Sequence, residues 1–159
     1  MIQQVLDHVR GLEGCSVLPP TGSPAVVPGL ELPSDLKEFY SLCGGLILFQ
    51  EALFPWRIAS PEEFEPANIA ILGLGPQEDR SDDWYILASS GSDQFISIDL
   101  SPARVGRCYD SFIDRHAIAG SCDVVATSFS EFLNRAIDCA GRSLYWLDKR
   151  FEGLGDAYD

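Results

Sequence analysis

Two β-runs divided by a very short connection constrain this chain most. Trp84 to Ser89 is apolar and aromatic, and Gln94 to Leu100 alternates, with Ile96, Ile98 and Leu100 on one side and Phe95, Ser97 and Asp99 on the other. Only Ser90-Gly91-Ser92-Asp93 stands between them, which reads as a hairpin loop. Strands joined so tightly pair antiparallel, because a parallel crossover needs a much longer connection. The alternation puts Ile96, Ile98 and Leu100 toward the core and turns the other side away from it. A second turn at Ser101-Pro102 leads to Val105 to Tyr109, a third strand of the meander, and Val124 to Ala126 reads as a further short strand. A doubly wound parallel sheet is thereby excluded.

Helices flank this β-region. Ile2, Val5, Leu6, Val9 and Leu12 share one helical face, and the pattern ends by Gly14. Pro19, Pro20, Pro24 and Pro28 forbid helix or central strand over Val17 to Leu30, predicting a surface loop. A second helix starts at Leu32-Pro33-Ser34-Asp35, with Ser34 as its cap, and carries the stripe Leu36, Phe39, Tyr40 and Cys43. Gly44-Gly45 stops it, one of the two taking the left-handed conformation. Leu46 to Phe49 reads as a buried strand. Ser60-Pro61-Glu62-Glu63 predicts a short helix start that Pro66 soon ends, and Ala70 to Leu74 a strand. Ser128-Phe129-Ser130-Glu131 is another capping box, opening a helix through Phe132, Leu133, Ala136 and Ile137 that ends at Gly141. A last short helix is predicted around Leu144 to Phe151, followed by a fraying tail from Glu152 to Asp159. The expected class is α+β, helices packed on a curved, mainly antiparallel sheet, in one domain over residues 1–159.

Charge narrows the partners. Eleven Lys and Arg face 24 Asp and Glu, for a formal charge of −13. Such a field repels phosphate backbones and anionic membranes and attracts a basic protein, although acidity also serves solubility alone. The five cysteines, Cys15, Cys43, Cys108, Cys122 and Cys139, show no Cys-x-x-Cys spacing, so neither a disulfide framework nor a zinc site is expected. Free thiols suit a reducing cytoplasm. The start of the chain has no signal-peptide pattern, and its most apolar stretch, Leu46 to Trp56, is broken by Gln50 and Glu51.

Catalytic chemistry has little to stand on. Cys108 and His116 can meet across a turn as nucleophile and base; otherwise they are a buried thiol and a loop histidine. His8 falls on the polar side of the first helix. Gly73-Leu74-Gly75 lacks the companions of a phosphate-binding loop. No cofactor and no metal are expected. The densest charge cluster is Glu78-Asp79-Arg80-Ser81-Asp82-Asp83, which reads as a cation site, a solvated loop or a contact surface for a basic partner. Tyr145-Trp146 places two large rings side by side on the last helix, where both cannot face inward, so an exposed Trp146 is a candidate contact residue. Glu78, Asp79, Asp82, Asp83 and Trp146 are thus the expected partner-binding residues.

The order of these elements is familiar. Leu32-Pro33-Ser34-Asp35-Leu36-Lys37-Glu38-Phe39-Tyr40, closed by Gly44-Gly45, resembles the signature helix and turn of the SUKH superfamily, named in part for yeast regulators of cell-wall assembly. The strand at Trp84 to Ala88, the turn at Gly91, the strand ending in Asp99, the strand Val105 to Tyr109 and Ser128-Phe129-Ser130-Glu131-Phe132-Leu133 continue the likeness, over roughly Pro28 to Ile137. Many members carry Asn-Gly where this chain has Gly44-Gly45. The resemblance implies helices on a curved antiparallel sheet and supplies no catalytic residues. It implies one of two roles: a bacterial immunity protein that neutralises a toxin, often a nuclease, or a regulatory interaction module. A nuclease is basic where it grips nucleic acid, so the acidic charge suits the first.

Overall fold

The computed structural model describes residues 1–159. The elements run α1 (Ile2–Arg10), β1 (Ser16–Val17), α2 (Ser34–Leu42), β2 (Leu46–Leu48), β3 (Trp56–Ile58), α3 (Ala67–Leu72), β4 (Trp84–Ser90), β5 (Gln94–Asp99), β6 (Cys108–Asp110), β7 (Val124–Ala126) and α4 (Phe129–Cys139). Single 3₁₀ turns occupy Arg80–Asp83 and Tyr145–Leu147. Each strand pairs antiparallel with the next, giving one seven-stranded sheet in sequence order, and the fold is α+β.

On the first face of the sheet Leu46, Leu48, Ile58, Leu87, Ile96 and Ile98 pack against α1, α2 and α4 through Leu6, Val9, Leu36, Phe39, Phe129, Phe132 and Leu133, all buried. Burying each such leucine, isoleucine or phenylalanine contributes about 1.5–3 kcal/mol before conformational entropy is charged against it. The Ser128 cap of α4 forms as the sequence predicts, its Oγ accepting from Glu131 N at 3.1 Å, but the box is not closed, because Glu131 Oε1 accepts from Thr127 N (3.0 Å) rather than from the N–H of Ser128. Helix α2 begins differently. Pro33 takes the cap position and Ser34 is the first helical residue, without a capping hydrogen bond. Its neighbour Asp35 reaches across to α4, accepting from Ser130 N and Oγ, both at 2.9 Å, so one carboxylate ties two helix starts together.

Both glycines after α2 have a physical reason. Gly45 adopts φ +122°, beyond the reach of ordinary side chains. Gly44 has an ordinary φ, but a Cβ there would stand 2.2 Å from the Pro19 carbonyl oxygen. The proline-rich segment is strapped against the glycines by Gly44 N donating to Leu18 O (2.9 Å) and Leu18 N to Gly45 O (3.0 Å).

The second face departs from the alternation rule. Ser97 and Asp99, predicted to point to solvent, are fully buried. The chain returns over them after β3, as α3 and the Arg80–Asp83 turn, and again after β7, as the C-terminal segment. Trp84, Ile86, Tyr109 and Val124 pack there with Ala67, Cys122 and Ala157. The segment predicted to fray is docked instead: Val124 N donates to Gly155 O, Ala157 N to Cys122 O and Arg80 Nη1 to Ala157 O.

Three further predictions are corrected. Ala70 to Leu74, expected as a strand, falls largely in α3, which Gly73 ends at φ +69°; a short apolar run does not by itself distinguish the two periods. The Ser60–Glu63 capping box forms (3.0 and 3.3 Å) but yields a single turn, because Glu65 and Pro66 extend to pair with Ile86 and Tyr85. The strand expected from Val105 starts only at Cys108, since Gly106 at φ +95° turns the chain beforehand.

Candidate functional site

The acidic segment is a folded knot rather than an open loop. Asp79 caps the 3₁₀ turn: its Oδ2 accepts from Ser81 N at 3.0 Å and from the Tyr158 hydroxyl at 2.6 Å. Burial alone would raise its carboxyl, but these hydrogen bonds overcome that and hold it below the usual range. Asp82 accepts from Gln77 N (2.8 Å) and Asn68 Nδ2 (3.2 Å) through one oxygen and from Asp79 N (3.2 Å) through the other. Asp83 is half-buried, and burial together with the charges of Asp99 and Asp82 pushes its carboxyl up. Glu78 alone of the four is exposed. The sequence registered how acidic this segment is but not that Tyr158 and Asn68, distant along the chain, would engage its carboxylates.

Trp146 is buried, at 6% exposure, as is Tyr145. The expectation that one ring must face solvent assumed α-helical spacing. The tight 3₁₀ turn lets Tyr145 donate to Val125 O while Trp146 packs near Trp56 and donates from Nε1 to Asp110 Oδ2 at 3.1 Å. Leu147 takes the exposed place.

Cys108 and His116 lie on opposite faces of the sheet. Cys108 belongs to the first-face core, and burial pushes its thiol well up. His116 stands edge-on to Trp84 on the second face. There it meets partners that no spacing announces: Nδ1 lies 3.0 Å from Ser111 Oγ and Nε2 2.7 Å from Asn68 Oδ1. Because Asn68 Oδ1 only accepts, Nε2 carries the ring proton and Nδ1 accepts from Ser111. Ser111 in turn lies 2.6 Å from Ser97 Oγ, and Asn68 Nδ2 donates to Ser81 Oγ at 3.1 Å. This chain has the order of a serine–histidine–asparagine relay, but Ser111 is fully buried and Asn68 and His116 are each 3% exposed. Burial pushes the imidazole down to about 4, against a smaller opposing effect of Asp79. The relay therefore couples α3, β5 and the loop after β6, and presents no atom to a substrate.

Two buried carboxylates complete the polar framework. Asp99 accepts from the Tyr109 hydroxyl, Arg104 Nε (3.1 Å) and Ser101 N (2.9 Å). Asp110 accepts from Gln94 Nε2, Phe112 N, Arg115 Nη1 and Trp146 Nε1. No three His, Cys, Asp or Glu side chains are grouped to hold a metal ion. No helix is long and apolar enough to cross a membrane.

The sequence profile of the SMI1/KNR4 family (SUKH-1) matches residues 28–135, which include α2, the sheet from β2 to β7 and the first half of α4. The chain belongs to this family. Immunity protein YokJ of Bacillus subtilis (strain 168) is 39% identical to this chain over 158 residues, covering 99% of this chain and 96% of that one. No solved structure matches the chain. The family match falls on the helix, turn and meander that carried the resemblance in sequence, and the likeness to YokJ extends over α1 and the docked C-terminal segment as well.

Proposed function

We propose that this SUKH-1 protein is a cytoplasmic immunity protein, which binds a cognate toxin domain and holds it inactive without catalysing a reaction. The observation that carries this reading is the similarity to an immunity protein along almost the whole of both chains. The charge of −13 supports a basic toxin of nuclease type, because such a toxin must be positive where it grips nucleic acid. Opposite fields speed encounter, and a bound acidic surface covers the same groove that nucleic acid needs. Exposed carboxylates such as Glu78 serve this purpose more readily than Asp79 and Asp82, which are engaged internally.

The test is co-expression with the toxin domain encoded by an adjacent gene. Rescue of growth, with a complex of the two purified proteins whose association rate falls steeply as salt rises, is the expected result. Unrelieved killing with no complex at low salt rejects the reading.

A further inference from the structure

Only part of the second face is covered. Arg57, Ser89 and Phe95 stand in one row across β3, β4 and β5, Arg57 exposed and the other two only half-buried. Beside this row a groove of about 310 Å³ opens between the sheet, the 60–65 segment and α3. Its apolar lining comes from Ala59, Ala70, Ile86, Ala88 and Phe95, of which Ile86 and Phe95 are the large side chains, with Ser89 beside them. Its other wall carries Glu62, Glu63 and Glu65.

The three carboxylates are not equivalent. Glu63 grips Arg57 Nε with both oxygens, at 2.9 and 2.8 Å. Glu62 and Glu65 are exposed and have no hydrogen-bond or ion-pair partner in the chain. The groove's charged side chains are thus three acids against one base, and that base is already paired. Arg57 also shows what the groove accommodates, since its guanidinium meets a wall carboxylate. A second cationic side chain would find Ile86 and Phe95 for its methylenes and Glu62 and Glu65 for its charge, which is how long basic side chains divide between apolar and polar surroundings.

We infer that this groove is a docking site for a basic segment of a protein partner, one arginine or lysine of which lies on Ile86 and Phe95 with its cation between Glu62 and Glu65. The inference deepens the immunity reading and rests on it for the partner's identity, but the site can be probed without a toxin. The probe is a capped Arg-Leu-Arg peptide, titrated into isotope-labelled protein and followed by backbone amide shifts. Two references accompany it: the same peptide with citrulline for arginine, and a charge-matched protein variant, Glu13→Gln with Glu31→Gln, altered at exposed sites outside the groove.

Shifts should concentrate at Ile86, Ala88 and Phe95. Apparent affinity should fall about fivefold in Glu62→Gln with Glu65→Gln, as expected for two exposed charges, and much less in the reference variant. The citrulline peptide should bind as weakly to wild type as the arginine peptide does to the groove variant. Shifts scattered over the acidic surface, or equal losses in the two variants, overturn the inference. If wild type neutralises a toxin and the groove variant does so equally well, with an unchanged association rate, the groove is refuted and the immunity reading stands. If the peptide docks as described but no toxin is neutralised, the groove stands and the immunity reading falls.

Discussion

On the first face of the sheet, Leu46, Ile58 and Ile96 meet three helices through carbon contacts alone; on the second, Tyr109 is hydrogen-bonded to Asp99 and Ser97 to Ser111, which reaches Asn68 of α3 through His116. Carbon packing is non-directional, so the first face should tolerate swaps that preserve volume. A buried polar network is directional, and every lost member leaves a partner desolvated and unpaired. The difference teaches that the same degree of burial implies different vulnerabilities: the first face fails by cavities, the second by donor and acceptor mismatches.

Four measurements press on this contrast. The largest effect should come from Phe132→Ala, which removes a fully buried ring set edge-on to Trp56; chemical denaturation should show a loss of about 3–5 kcal/mol. The second concerns acid. His116 is neutral when folded and titrates near 4, whereas in the unfolded chain it titrates near 6.5. Above about pH 6.5 its contribution is therefore complete. As pH falls toward 4 the unfolded state gains a proton that the folded state refuses, and stability drops by about 3 kcal/mol in all. Stability measured between pH 7 and 4 should be flatter in His116→Gln by about that amount, and an unchanged slope would remove His116 from the network's account. Third, Asn68→Ala strips the partner from His116 Nε2 and from Ser81; a loss of about 2 kcal/mol is expected, with faster amide exchange across α3 and little change in α1 or α4. Uniform acceleration over both faces would mean that they are one cooperative unit. Smallest is Cys108→Ala on the first face, about 1 kcal/mol or less, lowering Tm by a few degrees and leaving toxin neutralisation intact.

The first face was legible in the sequence because its signals are local and periodic. Ile96 and Ile98 alternate, Phe129, Phe132 and Leu133 repeat at helical spacing, and Ser128 with Glu131 announces the helix start. The second face was not, because alternation distinguishes two sides of a strand without revealing that both are covered. Ser97 and Asp99 look outward-facing until Asn68, Tyr109, Ser111 and His116 are brought to them by tertiary folding. Trp146 escapes the sequence for a related reason: adjacent rings diverge at α-helical spacing, but a 3₁₀ turn forms there and buries both. Within the candidate surfaces the sequence drew attention to the dense acidic run and passed over Glu62 and Glu65. Glu62 belongs to the helix start at Ser60–Glu63 and Glu65 precedes Pro66 without a signal of its own, and the environment of both depends on β4 and β5, which follow later in the chain.

The glycine pair after α2 carries a consequence for how such chains can diverge. Gly44 is held to a bare backbone by the Pro19 carbonyl 2.2 Å from where its Cβ would stand, not by its own dihedral angles. A relative with asparagine at that position can keep the turn only if its proline-rich strap runs farther from the sheet. Position 44 and the strap should therefore co-vary across descendants, while Gly45, held by its own φ and by the Ile58 carbonyl oxygen 2.8 Å from where its Cβ would stand, should stay glycine whatever the strap does.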